Sequence, residues 1–324
     1  MQFKETVALG IDIGGTSTKL AIVAGGDGSI LAAKSIPTSN QGAPSLLLPA
    51  IVEAAQALVE LARAEGHNIS GAGIAIAGFL DERRDRLVYN PNLQPLVGYP
   101  LLANLSVHLQ MPAILEVDSN AACLAEALYG AGRGVARFLS VSIGTGLGGG
   151  IIQHGRLMRT AYGCVGDIGH VIVDPQGPRC AAGCQGCAEA LISAPALEVQ
   201  ALKQARMEPQ GGLARRLALH GTITARDVIE LGHAGDAAAQ SLLARTGHWL
   251  GIAIASMATI FFPDRVAISG GVSEAGEMLL VAADHAFRET AAPFVADRVT
   301  LCKGTLGARA GVIGAAAGLW NPSG

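Results

Sequence analysis

The sequence lacks the features of a membrane or secreted protein. No uninterrupted apolar stretch reaches the roughly 18 residues that a membrane span requires. The stretch WLGIAIASMATIFF (249–262) stops between His248 and Pro263 and predicts a buried helix instead. The N-terminus, MQFKETVALGIDIGG, lacks a basic segment followed by an apolar stretch and a small-residue cleavage site. We therefore expect a cytoplasmic protein with no membrane partner.

The sequence also lacks a concentration of basic charge. The formal net charge is -3, and the lysines and arginines are dispersed along the chain. A nucleic-acid partner is not expected, because such proteins carry a basic face. The dense charge run DERRDR (81–86) is interpreted as a solvated turn.

Cysteines are few, and half of them lie close together. Three of the six fall in GHVIVDPQGPRCAAGCQGCAE (169–189), which begins with Gly169 and His170 and ends at Glu189. Cytoplasmic thiols stay reduced, so a disulfide framework is not expected. A tight cluster of this kind binds a metal or reacts.

The elements that are present predict two α/β domains. The chain has 324 residues, which is about twice the typical length of a domain, and half of its residues are hydrophobic. In VALGIDIGG, Leu9, Ile11 and Ile13 share one strand face, and KLAIVA (19–24) returns as the second strand of a hairpin. The same pattern recurs in RFLSVSIGTGLGGGIIQHG (137–155). This weak duplication predicts two similar domains with a cleft between them.

Other segments alternate between helix and strand. The predictions are a helix in AIVEAAQALVELARAEG, strands in AGIAIAG (72–78) and AILEV (113–117), and a helix in NAACLAEALYG. Strands that alternate with helices are typical of α/β domains.

The first hairpin turn, GIDIGGTSTK (10–19), has the composition of a phosphate site. It offers backbone N–H groups, hydroxyls and a lysine, and its glycines allow close approach. The candidate ligands of a nucleotide here are Asp12, Gly14, Gly15, Thr16, Thr18 and Lys19. Asp12 could hold Mg²⁺ or cap its own turn, and the glycines could serve hairpin geometry alone.

Two further glycine turns extend this pattern. GTGLGG (144–149) matches the dinucleotide motif, but Ile151 and Ile152 continue it as a strand, whereas that motif requires a helix. It is therefore interpreted as a second phosphate turn, with Gly144, Thr145, Gly146 and Gly148 as candidates. In VAISGGVSEAG (266–276), Gly270 and Gly271 could pack against a nucleoside or simply start a helix.

Asp118 follows the strand AILEV and precedes an alanine-rich helix. Phosphoryl transfer to a hydroxyl needs a carboxylate near the acceptor oxygen, and open α/β sheets bind ligands at the carboxyl ends of strands. Aspartate is also a preferred helix N-cap, and spacing alone favours the cap.

Seven blocks, in order, resemble the ROK family of sugar kinases (repressor, open reading frame, kinase) of the actin-like ATPase superfamily. The blocks that carry the resemblance include GIDIGGTSTKLAIV, GIAIAGFLD, NPNLQPLVGYPL, VDSNAACLAE, SIGTGLGGGII and GDIGHVIVDPQGPRC. The resemblance implies a two-domain actin-like (ribonuclease H-like) α/β fold. It places a smaller N-terminal domain at 1–118 plus 306–324, and a larger domain with a zinc-binding loop at 119–305.

The resemblance also implies roles for residues. Asp118 would be the general base, and the sugar contacts would be Gly78 through its backbone, Asn92, Asp118, Asp167, His170 and Glu189. ATP and Mg²⁺ would be cofactors, a hexose the substrate, and a homo-oligomer (dimer or tetramer) the assembly. Three positions depart from the family pattern: Asp167 replaces glutamate, Ala77 a common proline, and Val117 an asparagine beside the base.

The cysteine cluster matches structural zinc, which prefers four nitrogen and thiolate ligands. The candidate ligands are His170, Cys180, Cys184 and Cys187. The family pattern C-x-C-G-x-x-G-C has Ala182 at its second cysteine, so we expect Cys184 to substitute through a different loop fold. A redox pair or inert thiols are the alternatives. Bound zinc would orient His170 and Glu189 toward the sugar. The remaining cysteines (123, 164 and 302) are expected to be core thiols.

The expected function is ATP-dependent phosphorylation of an aldohexose at its 6-hydroxyl, as in a glucokinase. A kinase for an N-acetylated or amino hexose is the nearest alternative. A sugar-responsive repressor of the same fold would need a DNA-binding extension, whereas nine residues precede Gly10. A catalytically silent sugar or nucleotide sensor is a further possibility.

Overall fold

The computed structural model describes residues 6–38, 42–90, 92–160 and 168–321. The chain divides into two compact units. Unit 1 comprises residues 1–136, 150–166 and 308–324, and unit 2 comprises residues 137–149 and 167–307.

The strands, in chain order, are β1 (Thr6–Ile13), β2 (Ser17–Ala24), β3 (Ile30–Pro37), β4 (Asn68–Ile76), β5 (Phe79–Leu80), β6 (Leu87–Tyr89), β7 (Ala113–Val117), β8 (Arg137–Ile143), β9 (Leu147–Gln153), β10 (Arg156–Leu157), β11 (Arg265–Ser269) and β12 (Thr300–Lys303). The α-helices are α1 (Pro44–Ala64), α2 (Leu101–Leu109), α3 (Asp118–Tyr129), α4 (Ala188–Ile192), α5 (Ala194–Met207), α6 (Gly212–His220), α7 (Ala225–His233), α8 (Ala237–Phe261), α9 (Glu277–Thr290), α10 (Pro293–Ala296) and α11 (Ala310–Ala317).

The first sheet has the strand order β3-β2-β1-β4-β7. β1 and β2 form the predicted antiparallel hairpin, and β1, β4 and β7 run parallel. Leu9, Ile11 and Ile13 are fully buried, as their alternation predicts. The sheet also gains β3, which sequence analysis did not identify.

The second sheet repeats this order, as β10-β9-β8-β11-β12. Each strand corresponds to one in the first sheet, since β8 and β9 take the places of β1 and β2. The duplication expected from the sequence is therefore confirmed at the level of sheet topology. Because β9 follows GTGLGG directly as a strand, this motif is a hairpin turn and lacks the helix that a dinucleotide fold requires.

Helix α1 is long and apolar enough to cross a membrane by length and composition alone. It starts at Pro44, earlier than expected, because proline is favoured in the first turn of a helix. Its buried side chains form one stripe, at residues Leu47, Leu48, Ile51, Ala54, Ala55, Leu58, Val59 and Ala62. This stripe belongs to the core of unit 1, so α1 packs as an amphipathic core helix.

The predicted buried helix at 249–262 is the C-terminal half of α8. A Cβ at Gly251 would lie 2.3 Å from the carbonyl oxygen of Ala283, so α8 and α9 pack with their backbones in near contact. α8 ends at Phe261, just before Pro263, because a proline cannot continue a helix.

Helix α11 lies against the first sheet at glycine positions. A Cβ at Gly73 would lie 1.7 Å from the carbonyl oxygen of Ala315, and one at Gly314 would lie 1.7 Å from that of Ala121 in α3. α3 and α11 therefore pack together within unit 1. Unit 1 accordingly includes all of α3.

Candidate functional site

The register of the first sheet gathers one set of predicted residues at a single edge. Ile13 pairs with Ile76, and Ile76 pairs with Val117, so β1, β4 and β7 end side by side. The segments that follow begin with Gly14, Ala77 and Asp118. The carboxyl ends of parallel strands are where open α/β sheets bind ligands.

The first phosphate turn projects from this edge. Gly15 and Thr16 are exposed, and the Gly14 N–H donates to Ser17 O at 3.1 Å. The Thr38 hydroxyl donates to Gly14 O at 2.7 Å and lies 3.0 Å from the Thr18 hydroxyl. Because Thr18 is fully buried, it supports the turn from inside instead of presenting its hydroxyl at the surface.

Asp12 and Lys19 face each other across the same hairpin. Burial raises the pKa of Asp12, and the charge of Lys19 partly opposes that shift. Lys19 Nζ donates to Ala308 O at 3.0 Å. A Cβ at Gly311 would lie 2.6 Å from Asp12 Oδ2, so the start of α11 packs directly on this carboxylate.

The predicted sugar-binding segment is organised by Asn90, a residue that sequence analysis missed. Asn90 is buried; its side chain donates to Ala77 O at 2.8 Å and accepts from Asn92 N at 2.6 Å. A Cβ on Gly15 would lie 3.7 Å from Asn92 Cβ, so Asn92 is next to the phosphate turn. An Asn two residues before the predicted ligand is a typical Asx-turn signal.

Gly78 adopts φ +112°, and a Cβ there would lie 2.4 Å from Tyr89 O. Only glycine fits this position, because a side chain would collide with the backbone of Tyr89 and the side chain of Asn90.

Asp118 is the first residue of α3, and Val117 occupies the N-cap position. The Oδ1 atom of Asp118 accepts a hydrogen bond from the N–H of Ser119 at 2.7 Å. The side chain of an N-cap residue accepts a hydrogen bond from the backbone N–H two or three residues later in the chain. The contact of Asp118 with the next residue therefore differs from the N-cap that spacing alone favours.

In unit 2 the second phosphate turn (144–149) lies next to the glycine turn at Gly270 and Gly271, the candidate nucleoside contact. Ser142 pairs with Ser269 in the parallel strands β8 and β11. Gly270 has φ +88°, and a Cβ there would lie 2.4 Å from Ile143 O. The Gly144 and Gly270 turns are therefore in backbone contact, as a shared nucleotide site requires.

Glu189 reaches the second phosphate turn. Its Oε2 accepts from the N–H of Leu147 at 3.1 Å and lies 2.8 Å from where a Cβ of Gly146 would stand. The N–H of Ala194, at the start of α5, donates to Gly144 O at 2.8 Å. The predicted sugar ligand thus also braces the phosphate turn, a contact with no signal in the sequence.

The structure brings together the four predicted metal ligands, which are His170, Cys180, Cys184 and Cys187. Their ligand atoms all lie within 4.8 Å of one another, and Cys180 Sγ is 3.7 Å from His170 Nδ1. The N–H of Cys180 donates to Cys184 O at 2.9 Å, forming the tight turn that carries Cys184 into the cluster. Burial, with smaller contributions from neighbouring groups, raises the pKa of Cys187 to about 11.

The cluster is linked to Glu189 through the backbone. The N–H of Ala188 donates to Val171 O at 2.9 Å, so the segment after His170 runs beside the one that holds Cys187 and Glu189. Asp167 and Cys164 lie outside the described residues. The thiol of Cys123 is buried and that of Cys302 is partly buried.

Known proteins resemble this chain along its whole length. A family model described as the ROK family matches residues 8–321. The glucokinase of Halalkalibacterium halodurans is 34% identical over 307 residues, covering 94% of this chain and 92% of that protein. The N-acetylmannosamine kinase of Escherichia coli O139:H28 is 32% identical over 286 residues, covering 88% and 89%.

A solved structure gives the same result for the fold. The ROK family glucokinase from Streptomyces griseus, in complex with glucose and AMPPNP, is 31% identical and superposes with a TM-score of 0.83. The match covers 96% of this chain and 98% of that one. The predicted actin-like α/β fold class is thereby confirmed. With its motifs, its repeated sheets and these matches, the chain belongs to the ROK family.

Proposed function

We propose that this chain is an ATP-dependent hexose kinase that transfers the γ-phosphoryl group to the 6-hydroxyl of glucose. The observation that carries the proposal is the strand register, which brings the first phosphate turn, Asn92 and Asp118 to one edge of a sheet. A phosphate donor, a polyhydroxyl acceptor and a carboxylate base are the components of this reaction. The similarity to glucokinases supports glucose as the acceptor.

Asp118 acts as the general base in this proposal. Its carboxylate takes the proton of the 6-hydroxyl as that oxygen bonds to the γ-phosphorus, and the bond from γ-phosphorus to ADP breaks. Asn92 and the Gly78 backbone hold the sugar, and Asp167, His170 and Glu189 supply the remaining hydroxyl contacts.

The glycine turns hold the nucleotide. The proposed phosphate ligands are Gly14, Gly15, Thr16 and Lys19 in the first turn and Gly144, Thr145, Gly146 and Gly148 in the second. Gly270 and Gly271 pack against the nucleoside. Bound Mg²⁺ would neutralise phosphate charge, and Asp12 offers the hard oxygen ligand that this ion prefers.

Zinc fits the cysteine cluster. Tetrahedral zinc bonds of usual length place a sulfur and a nitrogen ligand about 3.6 Å apart, close to the 3.7 Å between Cys180 and His170. Three thiols and one imidazole complete four coordination without an open position, so the role is structural. The metal would fix His170 and, through Cys187, Glu189.

A kinase for N-acetylmannosamine is the second candidate. It is favoured by the 32% identity to the Escherichia coli enzyme, which spans nearly the whole of both chains. The two candidates differ in the substituent at the second carbon of the sugar, and residues 76–92 are the segment that we expect to discriminate them.

Sugar-dependent release of ADP tests both candidates. The purified chain is incubated with MgATP and, separately, glucose, mannose, N-acetylmannosamine and N-acetylglucosamine. We expect the highest kcat/KM with glucose. Turnover of an N-acetylhexosamine without turnover of glucose would favour the second candidate, the N-acetylhexosamine kinase. ADP release that does not depend on sugar would contradict the kinase proposal.

A further inference from the structure

Glu116 is a buried carboxylate that the proposed chemistry does not use. It lies in β7, two residues before Asp118, and is 5% exposed. An unpartnered carboxylate at such a depth would be strongly unfavourable, because burial removes its hydration. Its partners therefore indicate what it does.

Each oxygen of Glu116 accepts from two groups. Oε1 accepts from the N–H of Val117 at 3.0 Å and from Asn120 Nδ2 at 2.9 Å. Oε2 accepts from Arg84 Nη1 at 3.2 Å and from Arg159 Nε at 2.8 Å. The first pair belongs to the junction of β7 and α3, where Asp118 sits, and the second pair comes from two distant segments.

Arg84 connects Glu116 to the sugar-binding segment. It lies in the turn between β5 and β6, a hairpin that follows Gly78 and leads to Asn92. Its backbone has φ +55°, which is uncommon for a residue with a side chain and persists where surrounding contacts hold it. The charge run at 81–86 is therefore not only a solvated turn. Asp85 and Arg86 pair with each other at its surface, but Arg84 reaches inward.

Arg159 is the better buried partner, with 15% of its side chain exposed. It follows β10 and meets Glu116 through two nitrogens, Nε and Nη2, both at 2.8 Å. Both nitrogens contact the same oxygen, Oε2, so Arg159 is a charge-assisted partner of that oxygen.

We propose that Glu116 is a positioning residue that holds the base Asp118 and the sugar-binding loop of Asn92 in one fixed geometry. The inference rests on the proposed hexose kinase function and deepens it. Glu116 does not touch the substrate; it joins the strand end that carries the base, through Arg84, to the hairpin that carries the sugar ligands. These contacts of Glu116 align the sugar hydroxyl with the Asp118 carboxylate. A displacement of about 1 Å between reacting groups can lower the rate about a hundredfold, so the alignment matters for catalysis.

The test is Glu116→Gln, which keeps the shape and the contacts of Oε1 but places a neutral amide against two arginines. We expect kcat to fall between about tenfold and a hundredfold and the KM for the hexose to rise, with the KM for ATP unchanged. Arg159→Gln should act in the same direction, and the double variant should lose less than the product of the two single effects.

The matched control is Asp227→Asn in unit 2, which removes another partly buried ion pair, with Arg216 at 2.9 Å. It should lower the melting temperature and leave kcat and both KM values as in the wild type. The proposal is overturned if folded Glu116→Gln has the kcat and hexose KM of the wild type. It is also overturned if activity falls only in proportion to the folded fraction in both Glu116→Gln and Asp227→Asn. Absence of sugar-dependent ADP release by the wild type would instead refute the kinase function itself.

Discussion

At the scale of single residues, the site depends on a few carboxylates whose surroundings differ. Glu116 is held between arginines, Asp12 is partly buried against Gly311, and Asp118 stands at the start of a helix. Of these three, Asp118 alone directly follows the end of a strand, and it is the proposed general base. Glu116 is the proposed positioning residue, and Asp12 is the proposed Mg²⁺ ligand.

Asp118→Asn tests the base. The amide keeps the size of the side chain but cannot take the proton of the sugar hydroxyl, so we expect kcat to fall by about 10²–10⁴. The KM values should change little. Steady-state kinetics with glucose measures both, and Glu53→Gln on the exposed face of α1 is the control. Full turnover by Asp118→Asn would show that another group is the base.

Gly311→Ala tests the packing of α11 on Asp12. The new methyl group would lie 2.6 Å from Asp12 Oδ2 and must displace it. We expect the Mg²⁺ concentration for half-maximal rate to rise several-fold, because Asp12 is the proposed metal ligand.

The control for this prediction is Gly318→Ala just after the same helix. Its methyl group would press on the end of the flexible Ile114 side chain, at 2.7 Å, and would lie at ordinary contact distance, 3.4 Å, from Ala315 O. An unchanged Mg²⁺ requirement in Gly311→Ala would show that Asp12 is not a Mg²⁺ ligand. Titration of activity with Mg²⁺ provides the measurement in both variants.

At the scale of elements, the cysteine loop differs most from the family pattern. Cys184 stands two positions after the usual cysteine, yet the turn closed by the bond from Cys180 N to Cys184 O carries its sulfur into the cluster. A loop of small residues can refold in this way because glycines on either side accept positive φ. Gly183 has φ +96° and Gly186 has φ +68°.

Cys184→Ser tests whether this cysteine serves as a ligand. We expect one zinc per chain in the wild type by elemental analysis, and a large loss of zinc in the variant, because a serine hydroxyl is a poor substitute for a thiolate. The KM for the hexose should rise as Glu189 loses its support. Cys302→Ser, outside the cluster, should keep its zinc. Equal zinc content in both variants would remove Cys184 from the ligand set.

At the scale of the whole molecule, the chain is built from one sheet topology used twice. Each copy starts with a glycine-turn hairpin and adds two parallel strands. The repetition explains why phosphate-type turns occur at residues 10–19 and 144–149, since the same hairpin opens both sheets.

The assembly is a prediction for the whole molecule. The family resemblance implies a homo-oligomer, and we expect a dimer or tetramer in sedimentation velocity experiments at micromolar concentration. The species should persist at moderate salt if apolar contacts dominate it, because salt screens exposed charges. A mass near 32.9 kDa at every concentration would show a monomer instead.

Local sequence patterns were enough to predict the glycine turns, the order of the motifs and hence the family, together with six of the strands: β1, β2, β4, β7, β8 and β9. These features are local, since alternation shows which face of a strand is buried and glycine marks a turn that other residues cannot form. Tertiary structure alone decided that Glu116 meets Arg84 and Arg159, that Glu189 braces Leu147, and that Gly311 presses on Asp12. Such contacts join residues 32 to about 300 positions apart, and they depend on strand order and register, which no local periodicity encodes.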